Sequence, residues 1–383
     1  MPTGIPKEGR GAHAPWPRGD TPVPGAIKPL PRRVFWELGM RLDAHLPQTR
    51  EAKDAALVAR CATDLEAFAT EFFPHLCTVP FARMHTELFG QEQTALQNKI
   101  RNRREAIAAP RASAKTTILG KIKLLHDCVY HLETFIVVFS ATAALAEDRV
   151  KQLREELEYN QRLTEIFGIQ VGPTWNNANF ITRPDAYGAR LPGVRVMAAS
   201  PGTQVRGLLE HGQRPSKIVL DDFEHSDHVQ TQLQREKTSR HFFEDIMKLG
   251  QPGTNVLVIG TLLHPQALLA DLLANPGFSG QRYRSVEQFA NAEALPLWQE
   301  WRSRFLDLDN PEHQKDARAF FEGHEPAMIR DAQVLWPERE SYYDLMVMRL
   351  VEGETAFQIE KQNNPVFGDY LIVNTTNNGL VKA

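Results

Sequence analysis

The chain has 383 residues, of which 42% are apolar and 24% charged, with a formal net charge of −3. This length fills two domains or one large α/β domain with additions, and the composition excludes a wholly disordered, collagen-like or small disulfide-stapled chain. The near-neutral charge excludes a uniformly basic surface, so a nucleic-acid partner has to be met by a local patch.

The three cysteines, Cys61, Cys77 and Cys128, have no metal-ligand spacing and read as reduced thiols of a cytosolic protein. No apolar run is long enough to span a bilayer, and no N-terminal stretch has the layout of a signal peptide. Residues 1–32 are rich in Pro, Gly and Arg, with Pro15, Pro17, Pro22, Pro24, Pro29 and Pro31 close together. Each Pro removes a helix hydrogen bond and the stretch buries little, so it reads as an extended or mobile arm. From Phe35 to Phe73, apolar residues at helical spacing (Leu57, Val58, Cys61, Leu65, Phe68 and Phe72) predict two helices. The run from Pro80 to Phe89 reads as a loop entering another helix. The basic stretch Lys99 to Arg104 reads as a solvated lead into the first strand.

Beyond Arg101 the texture changes to short apolar runs separated by helical patterns. Strands are expected over Glu105 to Ala109, Thr134 to Ser140, Val194 to Ala199, Lys217 to Leu220 and Asn255 to Gly260. Helices are expected over Thr116 to Tyr130, Ala143 to Asn160 and Gln230 to Leu249. This alternation predicts an α/β fold, with a mainly parallel central sheet flanked by helices on both faces.

Three segments carry chemistry. In Ala109-Pro110-Arg111-Ala112-Ser113-Ala114-Lys115-Thr116-Thr117, a short strand passes through small residues into Lys-Thr at a helix start. That is the layout of a phosphate-binding loop: backbone N–H groups face a phosphate, Lys115 supplies charge and the Thr116 hydroxyl reaches Mg²⁺. The strict glycine pattern fails, because Ala109 and Ala114 stand where it asks for Gly. The second segment, Lys217-Ile-Val-Leu220-Asp221-Asp222-Phe223-Glu224, is a buried strand ending in acids, which is where open α/β sheets bind ligands. Asp221 is the natural metal holder, and either Asp222 or Glu224 is the acid that polarises an attacking water. The third, Asn255 to Gly260-Thr261, places a hydroxyl at the edge of another buried strand.

In this order the segments resemble the large terminase subunit of tailed bacteriophages, a DNA-packaging ATPase. Further matching pieces are Phe135 to Thr142, Val205-Arg206-Gly207, Val334 to Arg339 and Phe357 to Val366, so the resemblance runs from about Phe72 to Val366. It implies a P-loop NTPase core of the ASCE type over residues 33–285 and a small lid or linker subdomain over 286–366. Its phosphate loop is a deviant Walker A that begins with Arg. Carried over, residues 111–117 bind ATP, Arg111 contacts the γ-phosphate, Thr116 and Asp221 hold Mg²⁺, and Gly260-Thr261 couples hydrolysis to movement. The family often has Asp-Glu where this chain has Asp221-Asp222. The implied partners are double-stranded DNA, a portal protein, the small terminase subunit and further copies in a ring, a pentamer, on the procapsid. The implied place is the host cytoplasm, with no membrane.

Large terminases usually carry a nuclease domain after this point. Only 18 residues follow Pro365, with Asp369 their single acid, so the tail over 367–383 is expected to hold no nuclease. The expected function is therefore an ATP-hydrolysing packaging motor without nuclease activity. The alternatives are a prophage remnant or scaffold that binds nucleotide without packaging, and a helicase-like translocase. His211, His225, His228, His241 and His264 have no paired-ligand spacing. Trp298 and Trp301 read as a helix packing face. Arg149, Arg154 and Arg206 are candidates for a finger acting on a neighbouring subunit or for a DNA contact.

Overall fold

The run Phe135–Phe139 is buried at every position, and so is Lys217–Asp221. A strand reaches that state only inside a sheet covered on both faces. The computed structural model describes residues 50–365 apart from 169, 184–192, 204, 206 and 211. The expected arm, the expected tail with Asp369, and Arg206 and His211 lie outside the described residues.

In chain order, α1 (Arg50–Cys61), α2 (Leu65–Phe72) and α3 (Arg83–Gln97) precede β1 (Arg104–Ala108). A π-helical stretch, Thr116–Ile122, runs into α4 (Lys123–Val129). Then come β2 (Phe135–Phe139), α5 (Ala143–Tyr159), α6 (Gln161–Phe167), β3 (Val171–Trp175), β4 (Asn179–Thr182), β5 (Arg195–Ala199) and β6 (Lys217–Asp221). They are followed by α7 (Ser226–Val229), α8 (Gln232–Glu244), β7 (Asn255–Gly260), α9 (Leu268–Ala274) and β8 (Ser279–Arg282). The rest holds β9 (Val286–Gln288), α10 (Leu295–Phe305), α11 (His313–Met328), β10 (Gln333–Val334), α12 (Tyr342–Val351) and α13 (Glu354–Glu360).

The main sheet has the order β3-β4-β5-β2-β6-β7-β1-β8. It is parallel from β5 to β8, and β4 and β3 close one edge antiparallel. This is an α/β fold with a mainly parallel sheet. Side chains alternate along β2: Ile136 and Val138 join one apolar cluster with Phe68, Leu119 and Leu125, while Phe135, Val137 and Phe139 join another with Phe242 and Leu268. Strand β7 sits between β1 and β6, with Ala108 opposite Gly260 and Asp221 opposite Ile259. The carboxyl ends of three strands that are far apart in sequence therefore meet.

Residues 286–364 gather around the antiparallel β9 and β10. Trp301, Phe305, Phe321 and Tyr343 form one apolar cluster there, and Val286, Leu345 and Phe357 form another. The Trp298 and Trp301 rings meet edge-on at 5.2 Å within this packing.

Several sequence expectations are corrected. The helix expected over Thr116 to Tyr130 opens as a π-helix, a rare widened turn that is frequent at functional sites. The helix expected over Gln230 to Leu249 is α8 followed by a 3₁₀ turn, Ile246–Lys248, with the Thr231 hydroxyl accepting from Gln234 N at 3.3 Å to start it. Strands β3, β4 and β8 have no counterpart among the expected strands: β3 and β8 lie at the sheet edges and bury little, and β4 is only four residues long. The stretch Lys99 to Arg104 is not simply solvated. Arg103 pairs with Glu92 at 2.7 Å and Glu105 at 2.6 Å, and Arg101 pairs with Glu133 at 3.1 Å.

A buried ionic network closes the amino-terminal end of the sheet. Lys217, the first residue of β6, donates to Asp127 Oδ2 at 2.6 Å, and Lys123 donates to the other oxygen of the same carboxylate. Burial pushes the Asp127 carboxyl up, but the two ammonium groups outweigh it and hold it well below the usual carboxylate range. A lowered folded value means that the pairing stabilises fully above the unfolded pKa of about 4 and is lost on acidification through the folded one. Asp127→Asn removes the carboxylate that two buried ammonium groups share and leaves Lys123 only Glu92, at 3.6 Å. It is expected to cost about 3–5 kcal/mol in urea unfolding at neutral pH, and a loss near zero would show that the network is not a tie.

Candidate active site

The loop after β1 is shaped by its neighbours. Ala109 N donates to Gly260 O at 3.0 Å, which continues the β1 and β7 pairing for one residue. Ala112 and Ala114 then take left-handed backbone, with φ of +67° and +59°. That region costs an L-residue about 1–2 kcal/mol and is ordinarily given to glycine. Left-handed backbone thus falls at Ala114, where the glycine pattern asks for Gly, and at Ala112, where it does not. Ala109, the other position at which that pattern asks for Gly, has ordinary backbone.

Lys115 is buried at the end of this loop. Its Nζ donates to Thr261 Oγ1 at 3.1 Å, lies 3.5 Å from Pro110 O and 4.0 Å from Asp222 Oδ1. Burial lowers the ammonium pKa, opposed by the Asp222 and Asp221 charges. The Thr261 hydroxyl lies 3.4 Å from Ala109 O, so it bridges the β7 edge to the start of the loop. At Gly260 an added Cβ would stand 3.7 Å from Asp222 Oδ1.

The Thr116 hydroxyl donates to Asp221 Oδ1 at 2.7 Å. Asp221 is almost wholly buried, and burial, with the neighbouring Asp222 charge, pushes its carboxyl up to about 6 against the pull of Arg149 and Thr116. Arg149 Nε reaches to 2.8 Å from Asp221 Oδ2, yet neither of these buried atoms makes an aligned hydrogen bond. Asp221 thus keeps an unsatisfied carboxylate oxygen beside a hydroxyl. Hard oxygen donors of this kind suit Mg²⁺, which is commonly held by one or two carboxylates together with substrate phosphates. Among the described residues no three or more of His, Cys, Asp and Glu gather as a metal cluster. His241 pairs with Asp245 at 2.9 Å, and His264 Nδ1 accepts from Gln266 N at 2.9 Å.

The other predicted residues fall as follows. Asp222 sits in left-handed backbone, φ +45°, fixed by its N–H to Ile259 O at 3.0 Å, with its side chain 44% exposed toward Lys115. The two oxygens of Glu224 accept from Leu268 N at 2.8 Å and Leu269 N at 3.0 Å, capping α9 beside the pocket it lines with Asp222, Gly260 and Thr261. Arg111 lies at the loop with Nε 2.9 Å from Glu360 Oε2. Arg149 points inward to Asp221 instead of outward, and Arg154 pairs with Glu158 at 3.1 Å on its own helix. His85, Lys361 and Asn363 also reach this region, and no local spacing in the sequence places them there. Asn363, fully buried, accepts from Leu262 N and donates to Tyr283 O, both at 2.8 Å.

No family model and no curated protein matches the chain. Among solved structures, the large terminase of bacteriophage HK97 aligns over 69% of this chain and 52% of its own length, at 18% identity and a TM-score of 0.42. A variant of the large terminase ATPase domain of Thermus phage P74-26 aligns over 77% of this chain and 98% of that one, at 13% identity and a TM-score of 0.43. The chain thus spans about half of the HK97 protein.

Because both Glu224 oxygens are spent on α9, Glu224→Ala is expected to lower stability by about 1–2 kcal/mol in urea unfolding. Lost ATP turnover at unchanged stability would instead mark Glu224 as the catalytic acid.

Proposed function

We propose that the chain is the ATP-hydrolysing motor subunit of a bacteriophage terminase, which moves double-stranded DNA into a procapsid. The observation that carries this reading is the meeting of Lys115, Thr116, Asp221, Asp222 and Thr261 at the carboxyl ends of β1, β6 and β7. Phosphoryl transfer needs little covalent chemistry from a protein. It needs phosphates held, developing charge offset and a water aimed in line.

In this reading residues 111–117 bind the triphosphate of ATP, with Lys115 on the β- and γ-phosphates and Arg111 on the γ-phosphate. Thr116 and Asp221 would hold Mg²⁺, which when bound would offset negative charge on the phosphates. Asp222, half exposed and close to Lys115, orients the attacking water. Thr261 touches Lys115 and the loop start together, so a change at the phosphates passes into β7 and onward through Gly260. The partners in this reading are duplex DNA, a portal protein, the small terminase subunit and four further copies of the chain in a pentameric ring, in the host cytoplasm. No described helix is long and apolar enough to cross a membrane.

Lys115→Ala is expected to abolish ATP hydrolysis measured as phosphate release, and turnover equal to the parent would sink the assignment. Asp222→Asn is expected to keep ATP affinity while turnover falls by about 10²–10⁴, the usual weight of one acid–base contribution. Asp221→Asn is expected to lose affinity as well. Duplex DNA of any sequence should bind weakly, with affinity falling steeply from about 50 to 200 mM salt, because contact with phosphates releases counterions. Tight binding that survives high salt would contradict the local-patch picture.

A further inference from the structure

Two carbonyls of the loop after β1 are held from outside it. Ser113 O lies 2.8 Å from His85 Nε2, on the first turn of α3. The same ring accepts from Ala82 N through Nδ1 at 3.0 Å. With Nδ1 accepting, the neutral ring carries its proton on Nε2 and donates to Ser113 O. Burial, which lowers the ring's pKa, favours that neutral form. His85 is fully buried, with Trp336 at 4.6 Å and Phe81 at 5.9 Å between ring centres. At the second carbonyl, Lys361 Nζ lies 3.4 Å from Arg111 O, and Lys361 is itself fixed by Glu340 at 2.6 Å. Arg111 N donates to Glu360 O at 2.9 Å and its Nε pairs with Glu360 Oε2, so the end of α13 grips the same residue three times.

The two held carbonyls belong to the peptides that lead into Ala112 and Ala114, the two left-handed residues of the loop. A trans peptide is planar, with N–H pointing opposite to C=O. Fixing Arg111 C=O on Lys361 and Ser113 C=O on His85 therefore turns the N–H groups of Ala112 and Ala114 away from those side chains. Neither N–H has a hydrogen-bond acceptor among the described residues.

We propose that His85 and Lys361 are positioning residues that pre-aim the Ala114 and Ala112 amides at a bound phosphate chain, supplying from outside the loop what glycine supplies within it. This rests on the phosphate-binding reading of residues 111–117. His85 serves Ala114, Lys361 serves Ala112, and the strain of each alanine is offset by a contact from a different part of the chain.

The test measures binding of Mg²⁺-ADP and of inorganic pyrophosphate to the full chain by calorimetry, beside the thermal midpoint without ligand. His85→Phe keeps the ring volume and removes the donor; Lys361→Met keeps the stem and removes the charge. Each is expected to weaken both ligands about tenfold or more, the weight of a hydrogen bond to a charged group. His85→Gln retains a donor and is expected to bind within about threefold of the parent, which covers the case in which the phenylalanine variant fails to fold. Adding Ala114→Gly to His85→Phe, or Ala112→Gly to Lys361→Met, is expected to restore most of the lost affinity, because glycine takes left-handed backbone unaided. The crossed combinations should restore nothing. The inference is overturned if both single variants bind as the parent does. It is also overturned if lost affinity tracks lost thermal stability and the matched glycine does not restore it. Lys115→Ala separates the two levels. If it binds like the parent, the phosphate-binding reading fails and takes the inference with it. If it loses binding while His85→Phe and Lys361→Met keep theirs, the inference alone fails.

Discussion

Strand β6 is tied at both ends to one helical stretch, and the site depends on that double tie. Its last residue, Asp221, takes the Thr116 hydroxyl at 2.7 Å; its first, Lys217, reaches Asp127 at 2.6 Å. The strand covers about 13 Å between those residues at its usual rise, whereas an ideal α-helix would cover about 16 Å from Thr116 to Asp127. The π-helical stretch at Thr116–Ile122, with more residues in each turn, takes up part of that difference. It also brings Gly120 against the acid, where an added Cβ would stand 3.5 Å from Asp221 Oδ2. The lower tie fixes the height of the helix, and the upper tie sets Thr116 beside the carboxylate that it needs.

Around that pair the rest of the site is assembled from distant pieces. Strand β7 lies between β1 and β6 and places Thr261 between Lys115 and Ala109. The segment after α13 returns to the same edge, where Asn363 joins Leu262 to Tyr283 and Glu360 meets Arg111. Residues 286–364 are thus attached directly to the loop and to the strand end beyond Thr261.

The parts legible in the sequence were those with a local signature. Continuous apolar runs marked β2, β6 and β7 to within a residue or so, because the middle of a strand buried on both faces is filled by apolar side chains. The Lys-Thr start and the Asp-Asp end stood out for the same local reason. The left-handed loop was harder to read, since Ala112 and Ala114 hide a shape that glycine would announce. What holds them, His85 and Lys361, lies 28 and 250 residues from the carbonyls they contact, and no spacing rule connects such residues. Arg149 illustrates another limit: a helical position can be read, but whether the side chain turns toward Asp221 or toward a neighbour depends on how α5 packs. In Glu224 the acid was legible and its occupation by α9 was not.

The strand order also bears on how the chain is made. Strand β1 has only β7 and β8 as sheet neighbours, and Arg104 meets Val256 across some 150 residues of sequence. At usual rates of synthesis the first strand leaves the ribosome about 8–30 s before its partner exists. Until then its Ala106-Ile107-Ala108 stretch has unpaired backbone and a bare apolar surface, a ready template for wrong pairing. Contacts of such long range also make folding slow once the chain is complete. The arrangement that gathers three strand ends into one site therefore leaves β1 without a sheet partner through much of synthesis.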